Sequence, residues 1–412
     1  MELSFEIIES LIPVSTTHLI EIKLRKIDNK KSEFLNKMET TFQPEIYNTT
    51  PYIRPFSDEA ISISASILFI TMMFGIVANL VTILVIVMSE KLRSIFNFMI
   101  VSLCVSDLLS ALVSPLALYR RTWGFEEWLL PGVLCKIFWS IDTWTNYVTS
   151  LHILLFATIR LLSIKWPFGY KKIKLRQIKI ITAIIWFITF NCGFIPRWIW
   201  YESKKRDRHA SSVDAKWPSC TLNTDWLNEY RLYYKIAYPI FIYFPMAVIA
   251  VLSPAIAIIL MRQRQNRVWR KQASMSIKNK CPKMSKCEMK TQRRENHAIL
   301  QLAFISGSFM FGYIPITAYT FYTTNVKHSK LAMKQMDWNF GMIAYILLRL
   351  SECLNPIFYN IASAKMRRET VAFLKKIIKC CSPLVAVRGR TNSSSSNTSE
   401  TTSGRNTLDL EL

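Results

Sequence analysis

The chain has 412 residues, enough for two or three soluble domains, but 51% of them are hydrophobic and these fall in long blocks. Charged residues make up 19% of the chain and there are 10 glycines, a composition that excludes disordered and disulfide-rich secreted proteins. The formal net charge of +24 comes from Lys and Arg that lie between the apolar blocks, which favours membrane topology over nucleic-acid binding.

Residues 1–60 form a polar N-terminal segment that we expect to be extracellular. Its first residues include Glu2, Glu6 and Glu9 and no basic stretch followed by an apolar run, so no signal peptide is indicated. We therefore expect the first apolar segment to act as its own insertion signal. Asn48 begins an Asn-Thr-Thr acceptor for N-glycosylation, a tripeptide that also occurs often by chance.

Residues 61–362 contain seven apolar segments, each long enough to cross roughly 30 Å of hydrocarbon as a helix. The segments lie near 62–88, 97–119, 132–163, 177–199, 232–261, 296–323 and 339–360. Arg349 and Glu352 interrupt the seventh. The sequence contains no internal repeat of the kind common in secondary transporters. It predicts an all-α membrane protein built as a bundle of seven transmembrane helices.

Two further segments follow the bundle. Residues 363–381 place apolar and basic side chains on opposite sides of a helix, which is typical of a helix lying on the membrane surface. Residues 382–412 are rich in Ser and Thr and have no apolar periodicity. We predict a disordered cytoplasmic tail there.

The orientation follows from the loop between the fifth and sixth segments. From Arg262 to Arg294 this loop is rich in Lys and Arg, and Glu288 is its one acidic residue. The positive-inside rule places such a loop in the cytoplasm, with the N-terminus outside and the tail inside. The N-terminal segment carries Lys and Arg as well, so charge alone does not decide the orientation.

Motifs within the segments occur in a distinctive order. The first, second, fourth and fifth segments contribute one residue each, namely Asn79, Asp107, Trp186 and Pro245. The sixth and seventh segments contain Phe309-Met-Phe-Gly-Tyr313-Ile-Pro315 and Asn355-Pro356-Ile357-Phe358-Tyr359. Over about residues 60–380 this series resembles the rhodopsin-like (class A) G-protein-coupled receptors. Tyr313 stands where that family has Trp.

The resemblance implies a receptor rather than an enzyme, and it assigns roles to several cysteines. The family pairs the positions of Cys135 and Cys220, so we expect a disulfide on the oxidising side of the membrane. Cys380 and Cys381 follow the amphipathic helix, where palmitoylation is one interpretation and free thiols are the other. The sequence indicates no metal site.

A ligand pocket is expected between the outer halves of the helices. Asp142, in Trp139-Ser-Ile-Asp142 of the third segment, resembles the Asp of biogenic-amine receptors that pairs with the ligand ammonium. A carboxylate in a cleft of low dielectric constant is suited to a small cation. The side chains that we expect to line this pocket are Asp142, Tyr313, Tyr345 and Arg349.

Arg349 leaves two interpretations of the ligand open. It could pair with Asp142 inside the protein and compete with a ligand amine. It could instead bind a carboxylate, such as a peptide C-terminus, which makes a short peptide the alternative to a biogenic amine. A guanidinium stays protonated and forms no Schiff base, which argues against a retinal pigment.

An ion site is expected below the pocket, because Asp107, Thr149 and Asn355 match the sodium site of the family and Glu352 lies near them. A sodium ion is therefore a candidate, and no other cofactor is expected. We hypothesise a chain of ionisable side chains down the core, in the order Asp142, Arg349, Glu352 and Asp107. The simpler interpretation is that Arg349 and Glu352 neutralise each other at i, i+3.

The cytoplasmic switch departs from the family pattern. The family has Asp-Arg-Tyr where this chain has Ile159-Arg160-Leu161, so Glu295 in the sixth segment remains as an acidic partner for Arg160. Opening this pair and moving the sixth helix, with Tyr359 nearby, would expose a cleft for a G protein. Loss of the adjacent acid predicts weaker restraint and raised basal activity. Weak or absent coupling is the alternative.

We thus expect a plasma-membrane receptor that activates a heterotrimeric G protein, with no nucleic-acid partner. Phosphates on the Ser and Thr of the tail would bind arrestin, and the basic loops would contact anionic lipids. A heptahelical scaffold without signalling and an ion or proton transporter are the remaining alternatives.

Overall fold

The computed structural model describes residues 54–125, 127–203, 219–275, 286–325 and 331–381. Parts of the helix ends, including 270–275, 286–298 and 380–381, are described as backbone without side chains. Asn48, the basic residues Lys204, Lys205 and Arg206, and the predicted tail lie outside the described residues.

Within this part of the chain, seven helices are long and apolar enough to cross a membrane, which confirms the predicted fold class. The first four are α1 (Asp58–Met88), α2 (Ile95–Arg121), α3 (Gly132–Lys165) and α4 (Leu175–Trp200). The next are α5 (Leu227–Tyr238, Pro239–Tyr243 and Phe244–Met275), α6 (Lys286–Asn325) and α7 (Leu331–Ala362). The amphipathic α8 (Ala364–Cys381) follows, and a short helix, Pro167–Lys172, connects α3 to α4.

The seven spans differ in how deeply they are buried. The most apolar span, α1, turns many large side chains such as Phe69 and Ile70 away from the protein, where lipid replaces water as solvent. The least apolar span, α7, is also the most buried. Its polar residues are tolerated because neighbouring helices rather than lipid surround them.

Prolines free backbone carbonyls in the helices, and side chains use the freed oxygens. Pro196 cannot donate to the carbonyl of Cys192, which instead accepts from the hydroxyl of Tyr233 at 2.6 Å. Pro115 leaves the carbonyl of Ala111 to the hydroxyl of Ser114 at 2.8 Å. The backbone of α4 widens into a π turn at Phe190–Phe194, just before Pro196.

A hairpin and a disulfide close one end of the bundle, which we call the disulfide end. Strands β1 (Tyr201–Ser203) and β2 (Cys220–Leu222) pair antiparallel between α4 and α5. The predicted bond between Cys135 of α3 and Cys220 is confirmed, with their Cα atoms 5.7 Å apart. Arg120 of α2 donates from Nε to the carbonyl of Cys220 at 2.7 Å, so the hairpin is joined to two helices.

The largest apolar core lies away from the disulfide end, around Phe156 of α3, Ile249 of α5 and Leu302 of α6. A smaller cluster nearer the disulfide end contains Phe138 and Trp338. The polar side chains described below lie between helices α2, α3 and α7.

A close contact between α6 and α7 depends on a glycine. A Cβ atom placed on Gly312 would lie 2.3 Å from Oγ of Ser351 and 3.2 Å from Cα of Leu348. A Cβ atom on Gly307 of the same helix would meet nothing within 4 Å. Gly307 is therefore a control for Gly312, because both are glycines of α6 and only Gly312 is tightly packed.

We predict that Gly312→Ala lowers the thermal unfolding midpoint of the detergent-solubilised protein, because overpacking costs about 1–3 kcal/mol. Gly307→Ala should leave the midpoint unchanged or raise it, since Ala favours a helix over Gly by up to about 1 kcal/mol. Equal midpoints for the two variants would contradict this packing.

Candidate functional site

A buried ion-pair network connects α3 to α7. The guanidinium of Arg349 donates from Nη2 to Oδ1 of Asp142 and from Nη1 to Oε2 of Glu352, the latter at 2.8 Å. Ser110 of α2 donates to the same oxygen of Glu352 at 2.8 Å. Arg349 is 4% exposed and its guanidinium lies over the ring of Tyr345, 4.7 Å from the ring centroid. One arginine thus serves two carboxylates, which suits a buried charge that must be paired.

Asp107 lies next along the core. Asn355 donates from Nδ2 to Oδ2 of Asp107 at 3.0 Å. The other oxygen, Oδ1, is buried and has no hydrogen-bond partner among the described residues, and the same holds for Oδ1 of Asn79. Both residues line a small cavity, together with Arg349 and Glu352, that has room for about one water molecule.

The structure therefore brings the hypothesised chain together from Asp142 to Glu352, with Asp107 beside the same cavity. The simpler pairing of Arg349 with Glu352 is also present, so the two interpretations coexist. The side chains of the expected ion site make separate contacts, and the ion site stays a prediction. The hydroxyl of Thr149 pairs with that of Ser106 at 3.0 Å and, among the described residues, makes no hydrogen bond to Asp107.

Asp142 is also connected to α6, through a residue that the sequence analysis missed. Asn146 donates from Nδ2 to Oδ2 of Asp142 at 3.4 Å, and its own Oδ1 accepts from the hydroxyl of Tyr313 at 3.1 Å. Tyr313 is buried and packs on Phe309, with ring centroids 4.3 Å apart. A polar residue at i+4 from Asp142 was the available signal, because it lies on the same face of the helix.

Three arginines near the disulfide end were missed as well. Arg197 is 1% exposed and donates to the hydroxyls of Tyr201 and Tyr238. Arg120 stacks on Trp139 with its Cζ atom 4.5 Å from the ring centroid. The third, Arg121, donates to the hydroxyl of a tyrosine of α6, at 3.1 Å.

At the opposite end of the bundle, Arg160 is held by neutral groups. It donates from Nη2 to Oε1 of Gln301, and its Cζ atom lies 3.6 Å from the centroid of the Phe96 ring. The sequence analysis named Glu295 as the partner, and the side chain of that residue is not described. A glutamine of α6 thus accepts a hydrogen bond from Arg160, and the pair with Glu295 stays a prediction. Tyr359 of α7, the third predicted switch residue, is fully buried.

Comparison with known proteins decides the family. Residues 78–359 match the model of the 7 transmembrane receptor (rhodopsin family). The chain belongs to this family. It is also similar to the growth hormone secretagogue receptor type 1 of Mus musculus, with 25% identity over 300 residues, covering 71% of this chain and 75% of that receptor.

Shorter matches connect this receptor to two others. The octopamine receptor Oamb of Drosophila melanogaster is 30% identical over 152 residues, covering 36% of this chain and 23% of that receptor. The 5-hydroxytryptamine receptor 2B of Dichotomyctere fluviatilis is 28% identical over 158 residues, covering 38% of this chain and 33% of that receptor.

Family membership confirms a G-protein-coupled receptor rather than an enzyme. The chain is a multi-pass membrane protein that binds an extracellular ligand and couples to a G protein. The roles of individual side chains in ligand binding and in coupling remain predictions.

The contacts of Arg160 lead to a prediction about basal activity. Ile159 is 4% exposed, so an Asp at this position would be buried beside Arg160 and would form an ion pair that Arg160 lacks among the described side chains. We predict that Ile159→Asp lowers the agonist-free second-messenger signal by strengthening the restraint on Arg160. Ile159→Asn, which has the same shape without the charge, is the matched control.

The signals should be compared at equal amounts of folded receptor. A basal signal that does not fall in Ile159→Asp, or that falls equally in Ile159→Asn, would contradict the proposed restraint.

Proposed function

We propose that the ligand of this receptor carries an ammonium group that takes Asp142 from Arg349, and that Arg349 then remains with Glu352. The observation that carries the proposal is the charge balance of this network. Two carboxylates share one guanidinium, so an added cation gives Asp142 and Glu352 one cationic partner each. The similarity to octopamine and 5-hydroxytryptamine receptors supports an amine.

The alternative of a ligand carboxylate bound to Arg349 is less well supported. Such a group would bring a third negative charge to Asp142 and Glu352, where burial makes repulsion strong. A ligand that binds between the outer halves of the helices through a cation therefore fits the network better.

Ligand binding at Asp142 would reach the G-protein side through α6. Asn146 joins Asp142 to Tyr313, which lies on the same helix as Gln301, the partner of Arg160. Breaking the Asp142–Arg349 contact frees Asn146 to change partners and lets α6 shift relative to α3. Release of Arg160 from Gln301 would then open the cleft for the G protein.

We further propose that Arg349 fills the role that a sodium ion has in the core. Its guanidinium already neutralises Glu352, one of the expected sodium ligands. A sodium ion would have to compete with this tethered cation, and the remaining oxygen acceptors beside it are Oδ1 of Asp107 and Oδ1 of Asn79.

For the topology we propose a plasma-membrane receptor with the disulfide end and the N-terminus outside the cell. A disulfide requires an oxidising compartment, which supports this orientation. On the cytoplasmic side, α8 is anchored through Glu369, which accepts from Ser89 at 3.0 Å and pairs with Lys91 at 3.5 Å. Glycosylation at Asn48 belongs to the same proposal.

The cytoplasmic segments supply the remaining partners in this proposal. Palmitoyl groups on Cys380 and Cys381 would fix the end of α8 to the bilayer. Phosphates on the tail would bind arrestin, and the basic loops would contact anionic lipids.

We predict that Asp142→Asn weakens activation by a cationic ligand about 10- to 100-fold, the range expected for one charge-assisted hydrogen bond. The receptor should still fold, because Glu352 continues to neutralise Arg349. G-protein activation with octopamine, 5-hydroxytryptamine and peptides with free amino termini as probes measures the effect.

Asp225→Asn is the matched control, since Asp225 is exposed and lies at the disulfide end. Equal potency of an activating probe on the wild-type receptor and on Asp142→Asn would refute the role of Asp142.

A further inference from the structure

Three arginines, Arg120, Arg121 and Arg197, lie near the disulfide end, and within the described ranges none of them forms an ion pair with a carboxylate. We call these residues the arginine cluster. Unpaired guanidinium groups in a partly buried cleft attract anions, because the low dielectric constant strengthens the interaction.

Two members of the arginine cluster are occupied by neutral groups. Arg120 donates to the carbonyl of Cys220 and stacks on Trp139. Arg197 is enclosed by tyrosines and donates to two of their hydroxyls. These contacts hold the two charges in place and leave little of either side chain exposed, so a ligand group has no direct access to them.

Arg121 differs, because it is partly exposed and has donors to spare. Among the described residues its side chain makes one hydrogen bond, from Nη2 to the hydroxyl of Tyr319 at 3.1 Å. The guanidinium lies between α6 and α7 in a slot that Gly341 provides, since a Cβ there would be 2.5 Å from both Nη1 and Nη2. Trp338 donates to the carbonyl of Arg121 at 2.6 Å and fixes the backbone.

The slot and the ion-pair network lie on one face of α7. Gly341, Tyr345 and Arg349 follow one another at intervals of four residues, so Gly341 and Arg349 are about 12 Å apart along the helix axis. Between them, the hydroxyl of Tyr345 is buried without a partner among the described residues. A buried polar atom of this kind requires an explanation, and a polar ligand group that reaches it from between the two positions provides one.

We propose that the ligand carries an acidic group that binds Arg121, at a site separate from its ammonium site at Asp142. This rests on the proposed function and narrows the ligand class. An extended peptide spans about 3.3–3.6 Å per residue, so about four residues cover the roughly 12 Å that separates Gly341, beside Arg121, from Arg349, beside Asp142, along the axis of α7. The ligand is therefore a short peptide with both termini free, and a monoamine would fill half of the site.

The proposal can be tested on the full-length receptor with pools of random peptides as probes. Pools of two, four and six residues are each made with a free C-terminal carboxylate and with a C-terminal amide. G-protein activation is measured for the wild-type receptor, Arg121→Gln and Asp142→Asn. Arg231→Gln, which removes an exposed arginine from the same end of the bundle, is the matched control.

We expect the four-residue acid pool to activate the wild-type receptor at a concentration about 10- to 100-fold lower than its amide, the range for one charge-assisted bond. Arg121→Gln should lose this preference and respond to the amide as the wild type does, whereas Arg121→Lys should keep it in part. Arg231→Gln should behave as the wild type.

Several results would overturn the proposal. They are equal potency of acids and amides on the wild-type receptor, a preference for acids that persists in Arg121→Gln, and no activation by any pool. Monoamines that activate through Asp142 while no peptide pool does would leave the proposed function intact and refute the acidic site alone. Peptide activation that survives Asp142→Asn but depends on Arg121 would refute the ammonium site instead.

Discussion

One buried guanidinium, that of Arg349, sets the conditions for the rest of the core. A charged side chain in the interior of a membrane protein is stable only with partners, and this one has two carboxylates from different helices. The requirement explains why α7 is the least apolar and the most buried of the spans, since lipid could not replace Asp142 or Ser110 as neighbours. It also joins the expected ligand site to the expected ion site through a single residue.

Under the proposed function, the same interaction would connect ligand binding at Asp142 to the end of the bundle that holds Arg160. Among the described residues the Asp142 carboxylate accepts from Arg349 of α7 and from Asn146 one turn along α3. A ligand cation that replaced Arg349 would also change the field around Asn146, which contacts Tyr313 of α6. At the far end, α6 holds Arg160 through the neutral Gln301, a weaker restraint than an acid would be. Hydrogen bonds that can exchange thus hold α6 to α3 at two levels, at Gln301 and at Tyr313.

The sequence predicted well what depends on hydropathy and on residue order. Seven spans, the amphipathic α8 and the Cys135–Cys220 bond follow from apolar length and from motifs. It did not reveal contacts that depend on the rotation of helices about their axes. The hydroxyl of Thr149 pairs with that of Ser106, and no spacing along one helix indicates that contact.

The arginines of the disulfide end show another limit. Arg near a helix end is ordinarily interpreted as a side chain that extends toward the membrane surface. Arg197 is instead buried among tyrosines that come from α5 and from the hairpin. Its environment is assembled by residues far apart in sequence, so the pattern around it did not distinguish a surface arginine from a buried one. The partner of Arg160, Gln301, is likewise far away in the sequence and comes close because α3 and α6 pack side by side.

The role of Arg349 as the cation of the core can be measured directly through sodium. The thermal unfolding midpoint of the purified, agonist-free receptor is determined in sodium chloride and in an equal concentration of N-methyl-D-glucamine chloride, for the wild type and for Arg349→Met. A bound ion raises the midpoint of the protein that binds it. We predict equal midpoints in both salts for the wild type, and for Arg349→Met a lower midpoint that sodium raises. A wild-type midpoint that rises with sodium, with no sodium effect in Arg349→Met, would contradict the claim that Arg349 serves as the cation of the core.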